Sequence, residues 1–342
     1  MAEHEPGGHN QRRPRRRHHS GCGCARVLCL LGTLLVFVYL TIIIVAEKSF
    51  GEEHHLTFML VYMPQPPLLL PMAAMVLLSL LARARRLVIG NAVLLLVGIV
   101  ALLPPTIPHR ARLGGKQPLR VVTWNVHESY HETPQMREVL ESLKPDIVCL
   151  QEARRKDFAE VLPGAQAAHT HEVTTLTRGR IVSSRALRLG AYPNYRHGLE
   201  TVIDLPQGRV RVLNVHFITA FTGRTVKQNS YDLAGFLDHT REGRENETAT
   251  VVKWLQEPGE NKIVAGDFNT PPNAEIYRRI SAEATNAFVA GRGWGLTYRR
   301  ERPMVRIDHI FVKDGPKPVQ TFARDGKVSD HRLVAADLVL SK

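Results

Sequence analysis

Carboxylate, amide and imidazole side chains occur repeatedly beside short apolar runs in the last two thirds of the sequence. The segments are Thr123–Val126, Leu150–Glu152, Asn214–His216, Gly266–Asn269, Ile307–His309 and Ser329–His331. A hard divalent cation needs oxygen ligands, which carboxylates and amides supply. Phosphoryl transfer needs positioned donors around a charged phosphorus centre, which amides and imidazoles supply. The set of segments therefore predicts metal-dependent chemistry on a phosphate ester.

Taken singly, each of these segments has a structural explanation. An Asp or Asn after a strand is commonly a turn former, because its side chain bonds to nearby backbone groups. A Glu or an Asp-His pair in such a place is commonly solvated. The prediction of chemistry therefore depends on the combination and not on one segment.

The elements around these segments predict an α/β fold. Short apolar runs typical of strands cover residues 119–126, 146–150, 172–177, 181–187, 200–205, 209–217, 262–265, 305–312 and 332–340. Helices are predicted over residues 132–143, 224–255 and 274–284, with an interruption near Gly243 in the second. Strands outnumber helices throughout, which predicts two packed β-sheets with helices on the outside.

In their order along the chain, these motifs resemble the endonuclease/exonuclease/phosphatase superfamily over residues 119–340. The resemblance is carried by VVTWNV, DIVCLQEA, GRIVSSRALRL, VLNVHF, IVAGDFNT, GLTYRR, RIDHIFV and SDHRLVAADL. It implies an α/β sandwich of four layers, in which helices flank two packed mixed sheets. It also implies a hydrolase that cleaves phosphate esters with Mg²⁺ or Mn²⁺.

The resemblance implies a metal ligand set and a pair of residues for the attacking water. Glu152 matches the principal metal ligand, and Asn125 looks like its neighbour in the same metal and phosphate pocket. Asp330 matches a further metal-pocket carboxylate. Asp267 matches the group that orients or deprotonates the water, and Asn269 matches its partner in holding the nucleophile and the phosphate.

Further residues match positions that contact the phosphate. His331 matches the catalytic imidazole, and Asp308 matches the carboxylate that orients it. His216 stands where relatives have a His or Tyr that contacts phosphate, and Asn214 is expected to bind substrate or to brace His216. His127 replaces a carboxylate that many nuclease relatives carry, so it is either a phosphate contact or a rim residue. This departure weakens the likeness to the nuclease subgroup.

The first 117 residues have a different composition, with apolar stretches over residues 27–46, 56–82 and 87–103. A helix needs about 20 apolar residues to cross a bilayer, and prolines in the second stretch allow it to kink or to be re-entrant. We expect a basic disordered tail (1–25), a membrane region with about three transmembrane helices (26–105), a linker (106–117) and a catalytic domain (118–342).

Basic residues flanking membrane spans prefer the cytoplasm. The arginines of the N-terminus and of residues 83–86, with an acidic loop between them, predict an exported catalytic domain on the plasma (inner) membrane. The basic residues at 110–116 favour the cytoplasm instead, and the domain would lie inside if the second stretch failed to cross. The bilayer itself is thus one predicted partner.

Charge does not decide the substrate. The chain has a net charge of +13, but residues 118–342 hold 32 Lys and Arg against 27 Asp and Glu. Nucleic acid is favoured by the arginines within residues 298–306, and a phospholipid or sphingolipid is favoured by membrane tethering. A nuclease-type phosphodiesterase is the first prediction and a lipid phosphodiesterase the second. A catalytically inactive, membrane-tethered binding module is the alternative from another class.

Overall fold

The computed structural model describes residues 20–128, 132–153, 160–190, 196–220 and 232–341. Its α-helices are α1 (Ser20–Val45), α2 (His55–Tyr62), α3 (Leu70–Leu81), α4 (Arg85–Leu102), α5 (Thr133–Leu143), α6 (Leu233–Gln256) and α7 (Glu275–Glu283). Its strands are β1 (Leu119–Asn125), β2 (Ile147–Gln151), β3 (Gln166–Thr170), β4 (Val173–Thr177), β5 (Arg180–Leu189), β6 (Arg196–Leu205), β7 (Gly208–His216), β8 (Lys262–Asp267), β9 (Thr285–Asn286), β10 (Asp308–Lys313), β11 (Lys317–Arg324) and β12 (Leu333–Val339).

Two helices are long and apolar enough to cross a membrane, Gly23–Phe50 with 28 residues and Arg85–Leu102 with 18. The second predicted stretch is bent, because α2 and the segment Pro66–Leu81 meet at 95°. Prolines between them lack the N–H that a continuous helix needs. By length and composition alone, the described part of the chain holds two candidate spans, or three if the bent pair counts as one.

The chain forms two compact units. One combines the residues up to Leu40 with Leu69–Val97, and the other combines Thr41–Leu68 with the chain from Gly98 onward. The second unit therefore includes residues 46–63, which extend from the end of the first apolar stretch into the second and which we call the membrane-proximal segment. Residues 1–19 of the predicted tail lie outside the described part of the chain.

The membrane-proximal segment packs against α6 through an apolar contact. Phe58 is 1% exposed and clusters with Ala220, Phe236 and Leu237. Burying a phenylalanine side chain stabilises a fold by about 2 kcal/mol. Because three of these four residues belong to the predicted catalytic domain, the segment is part of the same core.

Hydrogen bonds fix the same segment in place. Arg241 on α6 donates to the Glu53 carbonyl at 2.9 Å, and the Glu275 amide at the start of α7 donates to Glu52 Oε1 at 2.8 Å. Arg244, which is fully buried, donates to the Tyr62 hydroxyl at 3.1 Å and lies over its ring at 4.8 Å. A buried guanidinium must be satisfied by such partners, so Tyr62 is held firmly.

The described part of residues 118–342 contains two sheets of six strands. One has the order β11-β12-β1-β2-β4-β3, and the other has the order β5-β6-β7-β8-β10-β9. Both are mixed, since β1 pairs with β2 and β7 pairs with β8 in parallel, whereas the neighbouring pairs are antiparallel. This confirms the predicted two mixed sheets.

Strand β1 is buried on both faces apart from the half-buried Arg120, which explains why most of its residues are apolar. Leu119 and Val121 face the other sheet in a cluster with Ile263, while Val122 and Trp124 belong to a second cluster. That second cluster includes the buried face of α5, and a third joins α6 and α7 to the other sheet. The layers are thus helix, sheet, sheet and helix, as the resemblance implies.

Some predicted elements differ from the structure. Helix α6 runs without a break through Gly243, so the predicted interruption is wrong. A Cβ at Gly243 would lie 2.8 Å from Ile218 Cδ1, which means that this glycine permits close packing. Strands β3 and β11 were not predicted, because half-exposed residues in both weaken the apolar pattern. Residues 224–231 of the predicted helix lie outside the described residues.

Candidate active site

The predicted site residues meet where strands of the two sheets end. Asn125 is the last residue of β1 and is paired in register with Gln151, the last residue of β2. In the other sheet, Asp267 at the end of β8 is paired with His216 on one side and with Asp308 on the other. The sheet pairing therefore brings residues that are far apart in sequence to one edge of the sandwich.

Asn125 connects the two sheets at this edge. It is 1% exposed, and its Nδ2 donates to Glu152 Oε1 at 2.9 Å and to Asp267 Oδ2 at 3.0 Å. Its Oδ1 accepts from the His127 backbone amide at 2.9 Å. The side chain thus presents its nitrogen, and not its oxygen, to the two carboxylates.

A buried imidazole lies between two aspartates. His331 Nδ1 is 3.0 Å from Asp308 Oδ2, and His331 Nε2 is 3.8 Å from Asp267 Oδ2. Burial alone would lower the pKa of His331, but the charges of Asp308 and Asp267 outweigh it and raise the pKa to about 10. At neutral pH this imidazole therefore carries both protons and is a cationic donor.

Asp267 is held by several groups. Its Oδ1 accepts from the Asn269 amide at 2.8 Å, and the Asn269 side chain donates to the Phe217 carbonyl at 3.0 Å. Burial raises the pKa of Asp267, and the neighbouring Asp308 raises it further, while His331 and His216 act in the opposite direction. Such a perturbed buried carboxylate in a cleft is typical of functional sites.

Short turns at the strand ends direct the side chains. Ser329 Oγ donates to the Asn125 carbonyl at 2.7 Å and accepts from the His331 amide at 3.0 Å, which ties the Ser-Asp-His motif to β1. Glu152 (φ 54°) and Asn269 (φ 48°) have left-handed backbones. Strained conformations of this kind cluster at active sites, and they support a functional role for these two residues.

His216 is linked to an ion pair that the sequence did not reveal. Arg196 Nη1 is 3.1 Å from His216 Nδ1 and also pairs with Glu172, whose carboxylate is 3.5 Å from the same ring nitrogen. Burial would raise the pKa of Glu172, but His216 and Arg196 outweigh this effect and lower it. His216 Nε2 points the other way and lies 3.8 Å from both Glu152 Oε1 and Asp267 Oδ2.

Asn214 occupies a different place from the other predicted residues. It is fully buried, accepts from Gln151 Nε2 at 2.8 Å, and donates to the Leu150 carbonyl at 3.2 Å and the Thr174 carbonyl at 3.0 Å. All its contacts therefore brace one sheet against the other. This position does not support a direct contact with substrate.

A cleft of about 220 Å³ lies beside the strand ends. Its lining includes Tyr62, His127, Glu152, Thr219, Ala220, Asp267, Asn269, Pro271, Tyr298, Val305, Ile307, Asp330 and His331. Tyr298, whose ring centroid is 4.9 Å from that of His331, was not predicted. Tyr62 was not predicted either, since its apolar neighbours in sequence indicate a membrane helix.

Two groups of side chains could hold a divalent metal ion. His127 Nδ1 lies 3.3 Å from Glu152 Oε2 and 3.9 Å from Asp330 Oδ1, and that Asp330 oxygen is buried without a hydrogen-bond partner. An orphaned carboxylate oxygen beside a second carboxylate fits a hard cation. The second group is Asp267, Asp308 and His331, whose potential ligand atoms all lie within 4.8 Å of one another.

The sequence matches the endonuclease/exonuclease/phosphatase family over residues 122–331, and the chain belongs to this family. The uncharacterized protein YbhP of Escherichia coli (strain K12) is 24% identical over 250 residues, which cover 65% of this chain and 96% of YbhP. The family match spans the whole edge described above, from β1 to His331. The motifs and the geometry thus agree on the family.

Solved structures show the same fold. A 3'-5' exonuclease from Neisseria meningitidis has a TM-score of 0.50 at 17% identity, with 65% of this chain and all of that chain covered. A mannosyl-6-phosphatase from Bacteroides thetaiotaomicron has a TM-score of 0.51 at 17% identity, with the same coverage. One of these proteins is named for a nuclease and the other for a phosphatase, so the shared fold does not choose the substrate.

The two candidate metal groups make different predictions for metal binding. We expect Mg²⁺ or Mn²⁺ to raise the unfolding temperature of the full-length chain in detergent, since a ligand that binds only the folded state stabilises it. Combining Glu152→Gln with Asp330→Asn should abolish this rise, whereas Asp308→Asn should retain it. Loss of the rise in Asp308→Asn, with retention in the double variant, would assign the metal to the His331 cluster instead.

Proposed function

We propose that this chain is a membrane-anchored phosphoesterase that hydrolyses a phosphate ester with water and a divalent metal ion, Mg²⁺ or Mn²⁺. The observation that carries the proposal is the convergence of Glu152, Asp267 and His331 on one cleft. Membership of the family supports the same class of reaction. No covalent enzyme intermediate is expected, because the cleft residues named above suffice to bind and orient a water molecule.

Glu152 and Asp330 are the proposed metal ligands, and Asn125 orients Glu152. A bound divalent cation supplies Lewis-acid stabilisation of charge on the phosphoryl oxygens. The backbone turn at Glu152 and the hydrogen bond from Asn125 Nδ2 hold the carboxylate towards the cleft. This proposal gives Asn125 the role of a donor beside the metal ligands, in place of an oxygen ligand.

Asp267 is the proposed base for the attacking water, and Asn269 is its partner. Burial raises the pKa of Asp267, which makes this carboxylate a better proton acceptor than an exposed aspartate. Its Oδ1 is occupied by the Asn269 amide. Its Oδ2 faces the cleft side shared with His331 and His216, and this oxygen is the one that would take the proton of the water.

His331 and His216 are the proposed phosphate contacts. His331 donates from Nε2 to a phosphoryl oxygen, and Asp308 fixes the ring through Nδ1. Charge builds on the phosphoryl oxygens in the transition state, so a fixed cationic donor stabilises that state more than the ground state. His216 is oriented from behind by Glu172 and Arg196, and His127 stands at the exposed rim.

Nucleic acid stays a predicted substrate, but the contacts of the arginines within residues 298–306 weaken the argument from charge. Arg306 stacks on Phe288 at 4.4 Å, and Arg300 pairs with Glu301 at 2.9 Å. Arg299 also lies over the Tyr298 ring at 5.9 Å, so three of the four arginines of residues 298–306 have contacts within the protein. An assay of hydrolysis distinguishes an enzyme from the alternative, a catalytically inactive binding module.

Substitution of Asp267 or His331 should lower the rate of hydrolysis without unfolding the protein. We expect Mg²⁺- or Mn²⁺-dependent hydrolysis of bis(4-nitrophenyl) phosphate or 4-nitrophenyl phosphate by the full-length chain in detergent. Asp267→Asn and His331→Gln should each lower kcat by about a hundredfold or more, because each removes a proton-transfer or charge-stabilising group. The matched control Asp325→Asn alters an exposed aspartate outside the cleft and should keep kcat within about twofold.

Full activity of Asp267→Ala with added metal would eliminate the role assigned to Asp267. Absence of hydrolysis on both esters, with metal binding intact, would favour the inactive binding module. The ratio of the two rates also tells a phosphodiesterase from a phosphomonoesterase.

Packing of the membrane-proximal segment supports an exported catalytic domain. This segment follows α1 directly, and its contacts with α6 and α7 require it to lie on the same side of the membrane as the domain. If α1 crosses the bilayer, that side is opposite the N-terminus. The arginine-rich N-terminus favours the cytoplasm, so the domain lies outside if the following helices cross the bilayer twice or not at all. A single further crossing by α4 would conflict with the packing of the segment.

Labelling of single cysteines tests this sidedness in spheroplasts of an expressing bacterium. Cys22, Cys24 and Cys29 are replaced by Ser, and Cys149 is kept because it is fully buried. An impermeant maleimide should label Glu138→Cys, an exposed position on α5, in intact spheroplasts. Ala2→Cys should react only after lysis, and the reverse pattern would put the domain in the cytoplasm.

A further inference from the structure

A second cavity adjoins the catalytic cleft. It has a volume of about 190 Å³ and shares Pro271 and Val305 with the cleft. Its apolar lining includes Ala101, Leu102, Leu103, Pro104, Leu296 and Met304. Because Pro271 and Val305 line both cavities, the apolar cavity is adjacent to the cleft in which a phosphate would bind.

The position of this cavity connects it to the bilayer. Leu102 is the last residue of α4, a candidate membrane span, and Leu103 and Pro104 follow it. Trp294 at the rim is 46% exposed and donates from Nε1 to the Leu103 carbonyl at 2.8 Å. Tryptophan is enriched at the level of lipid head groups. If α4 crosses the bilayer, the cavity lies where this helix leaves the hydrocarbon region.

The cavity also contains an unsatisfied cation. Nε and Nη1 of Arg306 are buried and have no hydrogen-bond partner, although Arg306 lines this cavity. Its guanidinium lies over the Phe288 ring at 4.4 Å. Buried donor atoms without an acceptor are costly, even though the rest of the Arg306 side chain interacts with Tyr277. Lys48 and Arg278 also line the cavity, against Glu47 as the acidic residue there, so the missing partner is anionic.

We propose that the substrate is an anionic, amphiphilic phosphate ester of the membrane, whose apolar portion occupies this second cavity while its phosphate lies in the catalytic cleft. Arg306 binds an anionic oxygen of the same molecule at the junction of the two. This proposal rests on the proposed phosphoesterase activity and names its substrate class. A soluble nucleic acid has no apolar portion to fill the cavity, and its recognition would rely on exposed basic side chains instead.

The test uses the full-length chain in phosphatidylcholine vesicles that contain phosphatidylglycerol, a diester, or phosphatidic acid, a monoester. Glycerophosphoglycerol and glycerol 3-phosphate are the counterparts without acyl chains. We expect kcat/KM for one of the lipids to exceed that for its counterpart by about tenfold or more, since burial of a few methylene groups is worth that much. Single-stranded and double-stranded DNA are assayed in parallel.

Tethering to the membrane by itself raises the local lipid concentration, so a faster rate on lipids does not show that the second cavity binds them. Variants of the cavity residues test that binding. Arg306→Met should lower the ratio of lipid hydrolysis to bis(4-nitrophenyl) phosphate hydrolysis by about tenfold or more, because it removes a charge-assisted hydrogen bond. Met304→Glu, at a residue 38% exposed, should lower the same ratio by making the cavity polar. The matched control Arg302→Met, in the same basic stretch but exposed and outside the cavity, should leave the ratio unchanged.

Several results would overturn the proposal while leaving the reaction class intact. These are equal rates on the lipids and their counterparts, a preference for DNA, or equal effects of Arg302→Met and Arg306→Met. The proposed function itself fails only if none of the esters is hydrolysed, including bis(4-nitrophenyl) phosphate. The two failures are thus distinguishable in one set of assays.

Discussion

The structure of the site depends on one buried charge arrangement, in which the His331 imidazole lies between Asp308 and Asp267. Two carboxylates this close would repel each other in a low-dielectric interior, and a cation between them removes that repulsion. The same contacts raise the pKa of His331 to about 10 against the effect of burial. The imidazole is therefore both a structural counter-ion and a permanent donor to the cleft.

The sheet register makes this arrangement possible. Asp267 and Asp308 are direct partners in an antiparallel pair, and His216 is the parallel partner of Asp267. A slip of one residue would turn every side chain to the opposite face, so the apolar alternation that buries the core also aims the polar residues. The membrane-proximal segment completes the cleft with Tyr62, which Arg244 holds.

Short apolar runs were sufficient to predict two packed sheets, and the family resemblance carried by the order of the motifs implied that the sheets are mixed and that the strand-end residues meet. The sequence was insufficient wherever function depends on contacts across the fold. Glu172 lies in the turn before β4 and Arg196 begins β6, and no local pattern links them to His216. Asn214 sits in a conspicuous motif, but its buried amide braces the sheets. Tyr62 lies among apolar residues that indicate a membrane helix, and only tertiary packing against Arg244 places it in the cleft.

The protonation state of His331 tests the central arrangement most directly. Full-length protein labelled with ¹⁵N-histidine, metal-free and in detergent, would be compared with His331→Gln to assign the ring signals. Since the pKa is raised to about 10 from the ordinary value of 6.5, both ring nitrogens of His331 should stay protonated from pH 6.5 to about pH 9. Asp308→Asn should lower the pKa, because it removes the nearest negative charge. A neutral His331 ring at pH 7.5 in the unsubstituted protein would contradict the arrangement on which the account depends.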